Sequence, residues 1–361
     1  MEILAAVVHH ADDDFQIEPV TLAEPRAEEV LVRIVACGVC HTDIHVQRQH
    51  YAFPFPAVLG HEGAGIVERV GPGVTRVSPG DPVLLGYAYC GRCLPCLDGR
   101  PFACQGFYEL NFGGRLADGT TRLQQNGREL SVFFGQSSFA THAVVHVNNL
   151  VKVDKGLDLR VLAPLGCGVQ TGAGTVLNVF APDPGASVAV LGAGAVGLSA
   201  VMAARLAGCG VIIAADIHAH RLQLARELGA THAFHARQVD VVDEIRRLGG
   251  VQYAVEASGK AEVGHQAAAA LQPGGHLAYV SECPALDGLD PSHTATLTIS
   301  EVVEGDSIPQ VFIPQLIDWY LAGEFPLQHV IRFYPWQEIN QAVHDALTGE
   351  TIKPVLVMPE L

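Results

Sequence analysis

Four cysteines, Cys90, Cys93, Cys96 and Cys104, follow one another as C-x2-C-x2-C-x7-C in a loop punctuated by glycine and proline. Thiolates this closely spaced can close a tetrahedron around Zn2+ with no open corner, which is the mark of a structural site. A catalytic zinc needs about three protein ligands and a free corner for water or substrate. Cys40, His61 and Cys167 are the candidates for that role. Cys40 lies in GVCHTD from Gly38 and His61 in GHEGAG from Gly60, each closing a strand-like run where a loop can present a side chain. Spacing alone does not join the three. Cys37, Cys209 and Cys283 have apolar or small neighbours and read as inert thiols. Most of the seventeen histidines, His142 and His235 among them, read as ordinary.

A second constellation concerns a nucleotide. Gly192, Gly194 and Gly197 form GxGxxG directly after an apolar run at 188–191 and open the Ala-rich segment that follows. The three glycines serve a tight turn, close backbone approach to a pyrophosphate, and packing of helix on strand, with the helix N-terminus facing the anion. Asp216 closes the next apolar run, nineteen residues after Gly197. A carboxylate there can accept hydrogen bonds from both ribose hydroxyls and repel a 2′-phosphate, which favours NAD over NADP. Val196 within the motif and Arg221 on the following helix belong to the expected cofactor-binding set.

These residues need a scaffold. Up to about residue 163 the chain is rich in short β-branched runs, at 30–35, 65–70 and 143–147, separated by Gly/Pro turns, which predicts an irregular β-rich domain. Over 164–307 strands and helices alternate: 188–191, 196–207, 211–215, 221–228, 251–256, 261–271 and 276–280. Such alternation predicts a parallel, doubly wound sheet. The segment 308–361 carries helical patterns at 309–321 and 336–348 and a closing strand at 354–358, and is expected to return to the first domain. The fold class is therefore α/β, with the domain 1–163 completed by 308–361 around a nucleotide-binding domain at 164–307.

A formal charge of -16 leaves no basic field for nucleic acid or an anionic lipid surface. The uncharged stretch 185–204 is long enough to span a membrane, but its glycines split it into strand, turn and helix, as in a buried βα unit. The N-terminus lacks the basic start of a secretory or transit peptide and turns acidic at Asp12, Asp13 and Asp14, so a cytoplasmic location is expected. In a chain without a signal, clustered cysteines argue for metal thiolates rather than disulfides.

In this order, CGVCHTD from Cys37, GHEGAGIVERVGPGV from Gly60, the four-cysteine loop and the glycine motif resemble the zinc-containing medium-chain alcohol dehydrogenases over essentially the whole chain. The resemblance implies a GroES-like β core split around a Rossmann domain, with the active site in the cleft between them. It implies two Zn2+ per chain, one catalytic on Cys40, His61 and Cys167 and one structural, with Glu62 and Asp43 orienting the ligands. NAD would be the second cofactor. As a Lewis acid the metal would acidify an alcohol so that hydride can depart to nicotinamide. Thr42 resembles the hydroxyl that takes the alcohol proton, and His45 the base that passes it through the cofactor ribose to solvent. His41 stands where liver-type members often carry an arginine against the pyrophosphate; a histidine is a weaker phosphate partner, so looser NADH binding is expected. Lys353 aligns with a second phosphate-contacting cation, and Thr171 with a residue bordering the nicotinamide.

The runs VVEGDSIPQVFIPQL from Val302 and FFGQSSFATHAVV from Phe133 resemble the bacterial aryl-alcohol or benzyl-alcohol branch. Phe133 and Phe134 match positions lining the substrate channel, and Tyr51 and Tyr87 would add aromatic walls. A flat apolar slot beside zinc favours benzylic or long allylic alcohols over ethanol. The implied reaction is reversible oxidation of primary aromatic alcohols to aldehydes, with a geraniol-type allylic alcohol as the alternative. Thiol-dependent formaldehyde oxidation usually needs charges for glutathione's carboxylates, yet Tyr51 and Tyr108 stand where that pattern would place an acid and an arginine. A non-catalytic relative would have lost ligands, whereas Cys40, His61, Cys167, Thr42 and His45 all remain. A homodimer or homotetramer is expected.

Overall fold

The computed structural model describes residues 1–281 and 291–359. Cys283, expected to be an inert thiol, lies outside the described residues. The chain divides into two compact units: Met1–Cys167 with Ile308–Ile317 and Ile331–Leu361, and Gly168–Ser307 with Asp318–Val330. The division falls four residues beyond the expected boundary at 163. It also assigns 318–330, expected in the returning segment, to the nucleotide-binding unit.

The first unit is the irregular β domain that its β-branched runs demand. Its seven-stranded sheet centres on the strand Glu29–Gly38, which pairs with Glu62–Val70, His142–His146 and Lys353–Val357. A six-stranded sheet around Glu2–Val8 accompanies it. Inward-facing Val30, Val32, Ile34, Val67, Val83 and Leu85 form the core between them with Phe133, Phe139 and Trp336. The pairing of Lys353–Val357 with the central strand brings the C-terminal segment beside Gly38 and Val39.

In the second unit six strands are all parallel, in the spatial order His232–His235, Val211–Asp216, Ser187–Leu191, Val251–Glu256, Leu271–Tyr279, Thr298–Glu301. Numbered along the chain this is 3-2-1-4-5-6, the Rossmann arrangement, with its switch point between Ser187–Leu191 and Val251–Glu256. Strands buried on both faces need continuous apolar runs, and VIIAA before Asp216 supplies one. The stretch tested as a membrane span folds as Ser187–Leu191, a glycine turn and the helix Ala195–Leu206. No helix among the described residues is long and apolar enough to cross a membrane.

Candidate metal and nucleotide sites

The central cluster is built by strand register. Gly38 lies opposite Glu62 in the antiparallel pair, so the chain leaving Gly38 through Val39 to Cys40 runs beside His61 and Glu62. A Cβ on Gly38 would sit 1.9 Å from Glu62 Oε2, so only glycine leaves room for that carboxylate. Cys40 is the N-cap of the helix His41–Gln47, whose first turn places Asp43. Asp43 is fully buried and accepts from Cys40 N–H at 3.0 Å, Gly60 N–H at 3.0 Å and His61 Nδ1 at 2.9 Å. With Nδ1 given to Asp43, the imidazole presents Nε2, which is buried and has no hydrogen-bond partner. An unsatisfied buried polar atom costs on the order of 1–3 kcal/mol, which a bound cation removes.

The donor atoms of Cys40, His61, Glu62 and Cys167 all lie within 4.8 Å of one another. Two sulfurs and an imidazole suit zinc in a tetrahedral site with a corner left open. Hydrogen bonding from Cys167 pushes the Cys40 thiol well below its ordinary value against the effect of burial, with Lys353 and His61 adding to the shift. Burial instead pushes the Cys37 thiol well up, which keeps it an inert thiol. Lys353 Nζ donates to both Glu62 oxygens, at 2.8 and 3.0 Å, and to Val39 O at 3.2 Å. Burial opposes its charge, but Glu62 and the cysteine sulfurs hold the ammonium well above its usual range.

The other four cysteines form a second group. Sulfur separations are 3.4 Å for Cys93 to Cys96 and 3.9 Å for both Cys90 to Cys96 and Cys93 to Cys104. Four ligands about 2.3 Å from a tetrahedral zinc stand about 3.8 Å apart, so the spacing fits the ion. Backbone N–H groups of Cys96 and Gln105 help pull the Cys93 thiol down to about 6. Among the described residues these are the two groups of three or more His, Cys, Asp and Glu side chains placed to hold a metal, and every described cysteine is free of disulfide bonds.

The glycine motif lies at the switch point of the parallel sheet. Gly192 has φ +102°, and a Cβ there would meet the backbone of Ala257 at 2.7 Å. A Cβ on Gly197 would lie 1.8 Å from Gly192 O, whereas one on Gly194 would meet nothing within 4 Å. The open space over Gly194 at the start of Ala195–Leu206 is what a pyrophosphate requires. Asp216 ends its strand and accepts from Ala193 N–H at 2.7 Å and His218 N–H at 2.8 Å. Val196 is half-exposed within the motif, and Arg221 is half-buried on Ala219–Leu228. Thr171 is buried on the helix Gly168–Gly174 of the same unit.

Around the cluster in the first unit, Thr42 Oγ1 is 3.7 Å from Cys40 Sγ, and His41 is exposed at the start of its helix. His45, one turn on, has Nδ1 2.9 Å from Nδ1 of exposed His50. The Tyr51 ring lies 5.4 Å from His45 and 6.0 Å from Phe112. Phe112 in turn contacts Phe133 at 5.7 Å and Phe134 at 5.2 Å. Both phenylalanines pack on His61, Phe134 stacked at 4.5 Å and Phe133 edge-on at 5.4 Å. Tyr87 is buried against Phe107 and Tyr89.

Residues 26–155 match the family profile described as alcohol dehydrogenase GroES-like domain, and residues 195–319 the one described as zinc-binding dehydrogenase. A geraniol dehydrogenase of Castellaniella defragrans is 43% identical over 98% of this chain and 97% of its own length. The chain is a zinc-type medium-chain alcohol dehydrogenase. A zinc-binding-domain alcohol dehydrogenase of Burkholderia ambifaria has a solved structure 50% identical, with a TM-score of 0.95 and full coverage of both chains. The benzyl alcohol dehydrogenase of Acinetobacter calcoaceticus is 43% identical with a TM-score of 0.94, covering 99% of this chain and 100% of that one.

In this dehydrogenase Lys353, expected as a phosphate contact, is buried with its Nζ on Glu62 and Val39, because the register of Lys353–Val357 against the central strand turns the side chain inward. Glu62, expected to orient ligands, stands among the donor atoms themselves. Three residues escaped the sequence reading. His50 is visible there only as one histidine among many. Phe112 belongs to the short helix Phe107–Phe112 after Cys104, where the aromatic run Phe107, Tyr108, Phe112 was the available signal. Glu256 closes the strand across the switch point, buried, and accepts from Ser258 N–H and O–H, Gly259 N–H and Ser281 O–H, shaping the loop against Gly192.

Proposed function

We propose that this dehydrogenase reversibly oxidises primary aromatic alcohols of the benzyl type to aldehydes, with NAD+ as acceptor. The observation that carries the substrate class is the continuous set of rings from His61 through Phe133 and Phe134 to Phe112 and Tyr51. A planar unsaturated substituent next to the carbinol carbon gains edge and face contacts there that ethanol cannot make. Likeness to the benzyl alcohol dehydrogenase of Acinetobacter agrees with this reading. An allylic terpenoid alcohol is the second reading, favoured by the 43% identity to a geraniol dehydrogenase.

On this proposal Cys40, His61 and Cys167 hold the catalytic zinc, and Cys90, Cys93, Cys96 and Cys104 the structural one. The catalytic zinc would supply Lewis acidity toward the alcohol, and the nicotinamide would accept the hydride. Asp43 fixes the His61 tautomer that exposes Nε2. The Thr42 hydroxyl takes the alcohol proton and His45 delivers it toward solvent, where His50 waits within hydrogen-bond distance. Gly192, Gly194, Val196 and Gly197 shape the dinucleotide seat, while Asp216 selects ribose hydroxyls over a 2′-phosphate. His41, Arg221 and Thr171 complete the cofactor contacts.

A non-catalytic role fits poorly with the bare Nε2 of His61, and a thiol-adduct activity with uncharged Tyr51 and Tyr108. A homo-oligomer is supported by the edge position of Thr298–Glu301, where Ile299 is exposed. The deciding experiment is initial-rate kinetics with NAD+ and NADP+ against ethanol, benzyl alcohol, cinnamyl alcohol, geraniol and glutathione–formaldehyde. A higher kcat/KM for benzyl and cinnamyl alcohols with NAD+ is expected. Preference for geraniol would select the second reading, and preference for ethanol or the thiol adduct would reject both.

A further inference from the structure

Phe134 occupies a backbone conformation that phenylalanine rarely adopts. Its φ is +51°, and Gly135 and Ser137 in the same turn follow at +59° and +53°. Left-handed backbone is disfavoured for a residue with a large side chain and persists only where the surroundings over-determine it. Here they do. Phe134 N–H donates to Asn111 O at 3.0 Å and its carbonyl accepts from Asn149 Nδ2 at 3.4 Å. Ser137 Oγ accepts from Phe133 N–H at 3.0 Å and donates to Val58 O at 2.7 Å, tying the turn to a buried strand.

This held turn delivers the Phe134 ring onto His61, with centroids 4.5 Å apart and planes 30° from parallel, while Phe133 meets the same imidazole edge-on at 89°. The hydrogen bond to Asp43 and the Cβ–Cγ bond hold one side of the imidazole and leave the tilt of the ring plane to be set by what packs on it. A ring stacked on its face limits that tilt. The direction of Nε2, and so its place beside the sulfurs of Cys40 and Cys167, depends on both contacts.

We infer that Phe134 is a positioning residue for the metal-binding imidazole: its left-handed backbone clamps the ring on His61 so that Nε2 is pre-aimed, in addition to any part Phe134 takes in the substrate wall. The inference rests on the reading of Cys40, His61 and Cys167 as metal donors.

The test follows zinc release from the purified holoenzyme to a chromogenic chelator in wild type, Phe134→Leu, Phe134→Gly and Phe134→Tyr. The phase missing from Cys167→Ser identifies the His61 site. Glycine accepts the left-handed backbone without strain, so Phe134→Gly removes the ring while keeping the turn, and tyrosine keeps the ring. In the leucine and glycine variants the His61-site zinc should leave about tenfold faster, as when an outer partner of a metal ligand is lost. Zinc from the four-cysteine loop should leave at the wild-type rate, and Phe134→Tyr should behave as wild type. Wild-type release from both the leucine and glycine variants would overturn the inference. So would equal acceleration of both phases, which is what a general loosening of the fold produces. A wild-type holoenzyme holding zinc only in the four-cysteine loop would instead overturn the assignment of the donors.

Discussion

Alanine at Gly194 and at Gly197 should have opposite consequences, although the two glycines belong to one motif. A Cβ on Gly194 meets nothing within 4 Å, and the backbone there, at φ -79° and ψ -167°, suits alanine. A Cβ on Gly197 lies 1.8 Å from Gly192 O and 3.1 Å from Val190 Cγ1, an overlap removed only by shifting the helix or the loop. Overpacking of this kind costs about 1–3 kcal/mol, or roughly 2–12 °C of melting temperature for a domain of this size. Gly194→Ala should melt within about 3 °C of wild type, because entropy removed from the unfolded chain offsets a poorer N-cap. On the proposed dinucleotide seat, however, its methyl occupies the space the pyrophosphate would enter. Forcing the phosphate back by even one charge-assisted hydrogen bond loses about 1.5–3 kcal/mol, which raises the Kd for NADH roughly 10- to 150-fold. Thermal melts beside NADH fluorescence titrations measure both quantities. Wild-type NADH affinity in Gly194→Ala, or a melting loss equal to that of Gly197→Ala, would refute the reasoning.

Lys353→Met should strand the buried Glu62 carboxylate and cost about 3–5 kcal/mol, most of it restored by adding Glu62→Gln, as read by denaturant unfolding of the single and double variants. Asp216→Asn drops the charge and keeps a single carbonyl acceptor, so one of the bonds from Ala193 N–H and His218 N–H is lost with the charge, and the ratio of kcat/KM for NAD+ over NADP+ should fall about tenfold. His41→Arg should lower the Kd for NADH several-fold in equilibrium titrations; an unchanged value would remove His41 from the phosphate site. Burial holds His276 below the ordinary histidine value, so its contribution to stability is full above about pH 6.5 and is lost as pH falls toward the depressed folded value. The stability of wild type relative to His276→Gln should therefore shrink between about pH 7.5 and 5, and a constant difference would contradict the assignment.

Much of this protein was legible in its sequence wherever the chemistry is local. The C-x2-C-x2-C-x7-C spacing and GxGxxG followed by Asp216 fix short loops whose geometry depends on few neighbours, and 3.6-residue periodicity marked Pro309–Leu321 to the residue. Spacing could not join Cys40, His61 and Cys167, because their meeting depends on register. Gly38 must face Glu62 and Val355 must face Gly38, and a shift of one residue in either pair would turn the side chains to the other face. The pairing of Lys353 with Glu62 was hidden for the same reason, since the direction of the lysine is set by the strand it joins. Glu256 was invisible because an acid closing a strand looks ordinary until four donors are seen converging on it.

The charges at the central cluster explain why that register matters. Asp43 balances the N–H side of His61, and on the proposed ligation the thiolates of Cys40 and Cys167 balance a divalent ion. Glu62 is then the one carboxylate with no counter-charge from the metal set, and an isolated buried carboxylate is costly enough that it would take up a proton or move away. Lys353 prevents both by holding its two oxygens, so the lysine lets a third negative group remain within 4.8 Å of two sulfurs. On the proposed reading NADH affinity should respond to substitution at Gly194, over which a Cβ meets open space, and at exposed His41, whereas substitution of Lys353 should first be felt at Glu62.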